Sequence, residues 1–581
     1  MKIRTKILVS FILLLTAVSA AAQFTIDGKR PVLDNRTGKL LMTLPESVFG
    51  GPYSAQVAMD DTVAWVMISG KQIRTPGEIL LPKVSGDTIY KVYYSTHGHI
   101  QQIQMRFTFL PILCMTGDLD TVYQTVPVQV TLPEGDSTQE YRARVKWAGA
   151  STALKWIKKH SFHLKFVDEN GEKTDVSFFG LRDDNHWRLD AGTMDMMRIR
   201  NKVAHSLWKD FKNKPYYADR QPKARTYTRG DNVEVFINGD YMGFFDLTEF
   251  LDRKQMKLKK YDTEANEFHG MLWKSKDDTQ QTLFITNARC DETRDYWAGF
   301  SLAYPDIDEV CPTDYSVLRN AVDFVAKSFN PEFRAHAAEY FDVPIFEDYF
   351  VFIQTLFAMD NTSINMVYGC YDSAEDKKLT LAVWDLNATC GAHWRNQDGF
   401  YRAPEIQPEN DMDSIRTDWS RLPINRLLRR MRELPDFRWH TINRYWQLRE
   451  TVLNPDSLVA RYTAVYDRLG NAGALIRETE RWSGCEDFAF RRLDFNDEYN
   501  YLCDWIRRRI AYLDTHVFAC VRGDVNGDGI ADANDISLLI NYLLSAKQDM
   551  VAINVINADA NGDNKIDPAD LSAMINLLLH Q

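Results

Sequence analysis

Between Phe24 and Phe107 apolar and polar positions alternate in short runs. The runs are Phe24 to Ile26, Lys39 to Thr43, Val63 to Ile68, Thr88 to Tyr94 and Gln101 to Phe107, separated by Asp34-Asn35, Gly50-Gly51-Pro52 and Pro76-Gly77. Period-two runs bounded by turn formers predict strands, and this spacing predicts a small all-β sandwich over residues 23–106. It carries no chemical constellation and reads as a spacer or adhesion module.

The pattern then mixes periods. Val128 to Leu132, Tyr141 to Val145 and Ser161 to Val167 read as strands, the last preceded by the small-residue turn Gly149-Ala150-Ser151-Thr152 and by Lys155, Lys158 and Lys159. A small loop with basic residues before a strand can cradle phosphate, or be a solvated turn. Asp195 to Phe211 has helical spacing through Met197, Val203 or Ala204, Leu207 and Trp208. Val233, Val235 and Ile237 alternate on one face ahead of Asn238-Gly239, the signature of a two-residue type I′ hairpin turn, and Tyr241 to Leu247 returns. His269 to Lys274 looks like a further strand entry, and residues 341–359 like a mostly apolar helix. Three helical stretches are expected from Ile424 to Phe518, their Arg-rich faces (Arg426, Arg429, Arg430; Arg507 to Arg509) solvated or ion-paired.

The apolar helix delivers Asp360-Asn361-Thr-Ser-Ile-Asn365. A strand-like run, Met366 to Tyr371, a charged turn and a second apolar run ending in Val383-Trp384-Asp385-Leu386-Asn387 predict a β-hairpin with an Asp at each edge. One carboxylate can orient or deprotonate an attacking hydroxyl, while an Asn oxygen and a second carboxylate hold a divalent cation on a nucleotide. Protein kinases use the same D-x-x-x-x-N spacing ahead of a metal-binding Asp. The plain alternative is a helix-terminal turn and a strand-end cap.

Composition narrows the setting. With 581 residues the chain is long enough for several domains, and its net charge of −11 without a large basic block argues against nucleic-acid binding. Lys2, Arg4 and Lys6, the apolar run Ile7 to Val18 and Ala20-Ala21-Ala22 read as a signal peptide over residues 1–22, so an exported protein is expected, in the periplasm, at the cell surface or secreted, without a transmembrane anchor. None of the eight cysteines lies in a C-x-x-C pair. Export permits disulfides; Cys290 with Cys311 and Cys370 with Cys390 could pair, and buried free thiols are the alternative.

Residues 520–581 hold a repeat of period 35. Asp524, Asn526, Asp528, Asp532 and Asp535 fall at positions 1, 3, 5, 9 and 12 of a calcium loop, and Asp559, Asn561, Asp563, Asp567 and Asp570 repeat them. Ile530 and Lys565 stand at position 7, where the backbone carbonyl ligates. Position 6 tolerates positive φ in Gly529 and, less ideally, in Asn564. Each loop feeds an apolar stripe, Ile536, Leu539, Ile540, Leu543 and Leu544 in one and Leu571, Met574, Ile575, Leu578 and Leu579 in the other, expected to pack as a small core whose folding is coupled to calcium.

Two resemblances follow from ordered motifs. Leu110-Pro111-Ile112, Lys158-Lys159-His160-Ser161-Phe162, Gly180-Leu181-Arg182 with Trp187, Asp195-x-x-Arg198-x-Arg200-Asn201, Phe236-Ile237-Asn238-Gly239-Asp240-Tyr241-x-Gly243 with Glu249, Asp360-x-x-x-x-Asn365 and Trp384-Asp385 together resemble the spore-coat protein H (CotH) kinase family over residues 107–519. That resemblance implies an α+β atypical protein-kinase-like domain transferring phosphate from ATP to Ser or Thr hydroxyls of a protein acceptor. Asp360 would be the catalytic Asp, Asn365 and Asp385 with Asn387 would hold magnesium or manganese, Lys159 or Lys165 would contact phosphates, Glu249 would lie near the lobe junction as part of the nucleotide site, and the helix from Asp195 would be the regulatory helix of a small lobe. Two positions depart from the family: Ala148-Gly149 replaces Arg-Gly, and Asn387 replaces the second acid after Trp384-Asp385. An active kinase and a catalytically inactive scaffold both stay open. The C-terminal repeat resembles a small all-α type I dockerin, which implies two calcium ions, a cohesin-type partner and an association with extracellular polysaccharide-degrading machinery.

Overall fold

The computed structural model describes residues 23–149, 152–395, 399–402, 407–412, 425–485 and 493–580. The expected signal peptide, Ala150-Ser151 and much of the segment from Gly391 to Pro423 lie outside them. The chain folds as two units, one comprising residues up to Ile199, Arg229–Phe250 and Thr463–Asp497, the other Arg200–Thr228, Leu251–Tyr462 and Glu498–Gln581.

In the first unit, alternation produces two sheets over a shared core, as the pattern predicts. Phe24–Ile26, Tyr53–Met59 and Gly77–Leu81 form one; six strands from Val32–Asp34 to Lys71–Ile73, with Lys39–Thr43 parallel to His99–Thr108, form the other. Ile26, Val57, Ile79, Val66, Val92 and Met105 meet between them. A closed seven-stranded barrel follows, in the order Ile112–Met115, Gln124–Thr131, Thr138–Ala148, Ser161–Val167, His186–Asp190, Asp240–Glu249 and Gly230–Ile237. Val128, Val145, Leu164, Trp187, Leu247 and Val235 fill it. The Asn238-Gly239 turn forms where expected, with φ of 53° and 79°.

The helix expected from Asp195 begins at Arg200 and runs to Asp210. The preceding residues are held in a turn instead: Arg198 sits at φ 62°, and its Nη1 donates to the carbonyls of Gly192, Thr193 and Asp195. Arg200–Asp210 belongs to the second unit, and the helix facing Lys159 in the first is Ala474–Trp482.

In the second unit, Met271–Ser275 lies between Phe300–Tyr304 and Val367–Cys370, and Val367–Cys370 pairs antiparallel with Thr380–Ala382 in the expected hairpin. The apolar helix spans Val343–Leu356 and stops at Phe357, whose φ of 54° is left-handed. Five helices, not three, occupy the described part of 424–518: Arg426–Arg432, Pro435–Arg449, Pro455–Asn471, Ala474–Trp482 and Phe495–Tyr512. Prolines, lacking an N–H and pre-set in φ, open Pro435–Arg449 and Pro455–Asn471, and Gly473 at φ 72° separates the latter from Ala474–Trp482. The arginine faces divide. Arg429, Arg507 and Arg508 pair with carboxylates at the surface, whereas Arg430 and Arg509 are buried and donate to the backbone carbonyls of Val325, Gln354 and Pro408. All eight cysteines are free thiols, Cys370 and Cys390 both buried.

At the C-terminus, Ala533–Leu544 and Pro568–Leu579 pack around Val525, Leu539, Ala558, Ala560 and Met574. The stripes are narrower than expected: Leu544, Ile575 and Leu579 are exposed. The small residues Ala558 and Ala560, which carry no periodic signal, take the core positions instead.

Candidate functional site

The left-handed stop at Phe357 turns the chain into a short 3-10 turn, Met359–Asn361, which presents Asp360. The Asn361 side chain locks this turn to the hairpin. It is fully buried and its Nδ2 donates to the Trp384 carbonyl at 2.8 Å, while the Asn361 backbone carbonyl accepts from the Tyr349 hydroxyl at 2.6 Å. Asn365 and Asp385 both lie at left-handed φ, 58° and 54°. These values suit Asn and Asp better than most side chains and re-aim the backbone at each edge. The Asn365 N–H donates to the Ser275 carbonyl at 3.0 Å, pinning it to the central strand.

Carboxylates and amides gather here. Asn387 Nδ2 donates to Asp385 Oδ1 at 2.8 Å, which leaves Asn387 Oδ1 buried without a partner; Asn361 Oδ1 is likewise unpartnered. Asp278, in the loop after Met271–Ser275, accepts from the Ser363 hydroxyl. Burial pushes the Asp360 carboxyl up to about 7, and the nearby charges of Asp385 and Asp278 add to it. Sequence reasoning missed Asp278, which no spacing ties to Asp360. The loop behind Asp385 is braced by the helix that begins at Arg200. The Leu386 N–H donates to Asn201 Oδ1 at 3.0 Å, and fully buried Arg200 donates to the Thr389 carbonyl at 3.0 Å and pairs with Glu498 at 2.6 Å. Lys274 stands 4.5 Å over the Trp384 ring.

The donors are all oxygens, and two of them are buried amide oxygens without partners, which suits a hard divalent cation such as magnesium or manganese. Among the described residues no three His, Cys, Asp or Glu side chains are arranged to hold a metal, here or in the C-terminal loops. A cation here would rest on one or two carboxylates, amide oxygens and phosphate oxygens, the usual habit of magnesium.

The predicted nucleotide-contacting residues Lys159, Lys165 and Glu249 lie in the first unit. Lys159 is enclosed. Its Nζ donates to the Phe244 carbonyl and to Glu478 Oε1, each at 2.8 Å, and neither side chain is exposed. Burial lowers its ammonium to about 8. Glu478 also accepts from Arg198 Nε at 3.1 Å and from the Phe244 N–H at 3.2 Å. Lys165 points from the opposite side of its strand to Leu164 and Phe166, with its Nζ 5.1 Å from the Tyr123 ring. Glu249 is buried and accepts from the Arg182 N–H at 3.0 Å and from Arg229 Nη2 at 2.7 Å. Glu478, the partner of Lys159, had no sequence signal.

In both C-terminal loops the position-1 Asp accepts the N–H groups of positions 4, 5 and 6, and the position-12 Asp those of positions 3 and 9. Asp524 takes Gly527, Asp528 and Gly529, and Asp559 takes Gly562, Asp563 and Asn564. Asp535 takes Asn526 and Asp532, and Asp570 takes Asn561 and Asp567. The position-9 residues Asp532 and Asp567 also cap the following helices in reciprocal boxes with Asp535 and Asp570. Asn564 carries the positive φ required of it, 65°. This hard-oxygen set fits calcium.

The first unit is built on a β-barrel, and the second sets an oxygen-rich hairpin among helices, a mixed α and β architecture. Residues 145–513 match the CotH kinase protein family, more than half of the chain, and the chain belongs to that family. Residues 522–579 match the dockerin type I domain, a calcium-binding module that occurs in extracellular proteins and pairs with cohesins. Among curated proteins none matches the chain. No helix among the described residues is long and apolar enough to cross a membrane.

Proposed function

We propose that this dockerin-bearing CotH-family protein is exported, is tethered through its dockerin to a cohesin-bearing partner, and transfers phosphate from ATP to Ser or Thr hydroxyls of a protein acceptor. The observation that carries this reading is the oxygen cluster itself, in which Asn361 ties the turn of Asp360 to the Trp384 carbonyl, Asn387 is bonded to Asp385 and two buried amide oxygens stand unpartnered; burial, which raises the Asp360 carboxyl, agrees with a general base. Asp360 would take the proton of the acceptor hydroxyl. Asp385, Asn365 and Asn387 would hold a magnesium or manganese ion, which when bound neutralises charge on the nucleotide phosphates. Asp278, bonded to Ser363, would keep the local field negative until a cation arrives. Lys159 and Lys165 are the phosphate candidates, and Lys159 would have to exchange its Phe244 carbonyl to serve. In the dockerin, Asp524, Asn526, Asp528, Asp532 and Asp535, their counterparts from Asp559 to Asp570, and the carbonyls of Ile530 and Lys565 would hold two calcium ions.

One observation favours a second reading, a non-catalytic scaffold in an extracellular polysaccharide-utilisation or surface assembly. Lys159 is wholly enclosed and satisfied, and Asn387 stands where the family has an acid. Purified protein incubated with labelled ATP and manganese decides between them. Label on itself or on Ser-rich acceptors that is lost in Asp385→Ala supports phosphotransfer. Equal incorporation by wild type and Asp385→Ala sinks it for those acceptors.

A further inference from the structure

The two calcium loops are bonded alike inside, and the outer oxygen of each position-1 Asp takes one more donor from outside its loop. In the first loop, Asp524 Oδ2 accepts from the side-chain amide of Asn557 at 3.3 Å, and Asn557 belongs to the dockerin itself. In the second, Asp559 Oδ2 accepts from the side-chain amide of Asn443, on the Pro435–Arg449 helix of the CotH region, 116 residues away. The same amide nitrogen donates to Asn564 Oδ1 at 3.1 Å, and Asn443 is fully buried. A carboxylate only accepts, so the amide nitrogen must face it. One turn further along this helix, Gln447 Nε2 donates to the Gly562 carbonyl. Position 6 of the second loop, Asn where the first loop has Gly529, therefore provides the second acceptor of this clamp.

We infer that Asn443 is a positioning residue for the second calcium site, so that the CotH-region helix and calcium in that loop stabilise one another, while the first loop draws its equivalent amide from within the dockerin. This rests on the dockerin's calcium reading. Partners outside the ligand sphere fix the orientation of ligands, and their loss commonly weakens metal binding by about 10–100-fold. If seating on the helix aligns Asp559 for the ion, the ion must equally favour seating on the helix. Asn443 is the hinge of that exchange, since it bonds both the position-1 and the position-6 side chains.

Calcium titration calorimetry on the full-length chain tests it. Wild type should bind two ions. Asn443→Leu, and Asn443→Asp, which keeps the size but loses the donor, should weaken one site by roughly tenfold or more and leave the other unchanged. Asn557→Leu should weaken the other. A measurement without changes at Asn443 guards against misfolding. Calcium should slow hydrogen exchange in residues 435–449 of wild type and of Asp524→Ala, but not of Asp559→Ala. Two sites with wild-type affinities in both Asn443 variants, or helix protection that is insensitive to Asp559→Ala, overturns the inference while leaving the dockerin intact. Absence of calcium binding in wild type removes the dockerin's calcium reading and the inference with it.

Discussion

Lys159 and Glu478 form a fully enclosed ion pair at 2.8 Å, although 319 residues separate them. Glu478 also serves Arg198 and the Phe244 N–H, so the carboxylate is the shared acceptor of two cations and a strand edge. Removing one partner of such a pair strands charge away from water. Glu478→Leu should therefore destabilise the protein by about 3–5 kcal/mol in urea unfolding. The double variant Lys159→Met/Glu478→Leu should recover only part of this, because Arg198 is still left without its acceptor. Full recovery in the double variant would show that the Arg198 bond is dispensable.

Asp360 has a folded pKa of about 7, above its usual carboxylate range. Between those values the folded state holds a proton that the unfolded chain releases, so this group's contribution is full at low pH and is lost as pH rises through 7. Asp360→Asn should thus be more stable than wild type at pH 8, by on the order of 2 kcal/mol, with the gap closing toward pH 4. Thermal unfolding across that range measures it; a gap independent of pH would mean the carboxyl titrates normally.

On the proposed reading, the same proton would compete with a cation. Manganese affinity should rise with pH through about 7 in wild type and be flatter in Asp360→Asn. Paramagnetic relaxation of water measures binding without reference to turnover.

Asn387→Asp restores an acid beside Asp385. It removes the 2.8 Å amide bond and sets two carboxylates together. The metal-free protein should lose about 1 kcal/mol, while manganese should bind roughly tenfold more tightly. Unchanged affinity would place Asn387 outside the coordination sphere.

Chelation should loosen residues 522–579 first. The loss of helical circular dichroism and the return of signal with calcium check this, and Asp532→Ala or Asp567→Ala should cost about 1 kcal/mol through the lost cap alone. Helicity that ignores both chelator and calcium would rule out metal-coupled folding of this segment.

What could be read from the residues in order was whatever the chain keeps local. The Asn238-Gly239 turn, the hairpin from Val367 to Ala382 and the calcium loops each lie within one short stretch, where turn chemistry and period act directly. Asp278, Glu478 and Asn443 reach Asp360, Lys159 and Asp559 from distant segments, and no periodicity links them. The helix start at Arg200 was misplaced for a related reason. Arg198 prefers three backbone carbonyls to a helical turn, a tertiary choice invisible in the spacing of Met197 and Val203. The Leu544 and Leu579 stripes mislead because both leucines are the last residues of their helices and stand exposed, while Ala558 and Ala560 line the core between the repeats.

Asp535 and Asp570 each close a loop and each seat the first turn of a helix with the same two oxygens. Loop and helix in the dockerin therefore have no seam between them. An insertion or deletion between positions 9 and 12 would uncouple both at once, and the segment between the repeats is tied down at its end, where the Asn554 N–H donates to the Val525 carbonyl of the first loop and the Asn554 side chain caps Val555–Ala558. The natural unit for transplanting this module into another chain is therefore both loops with both helices, which share the core around Leu539 and Met574.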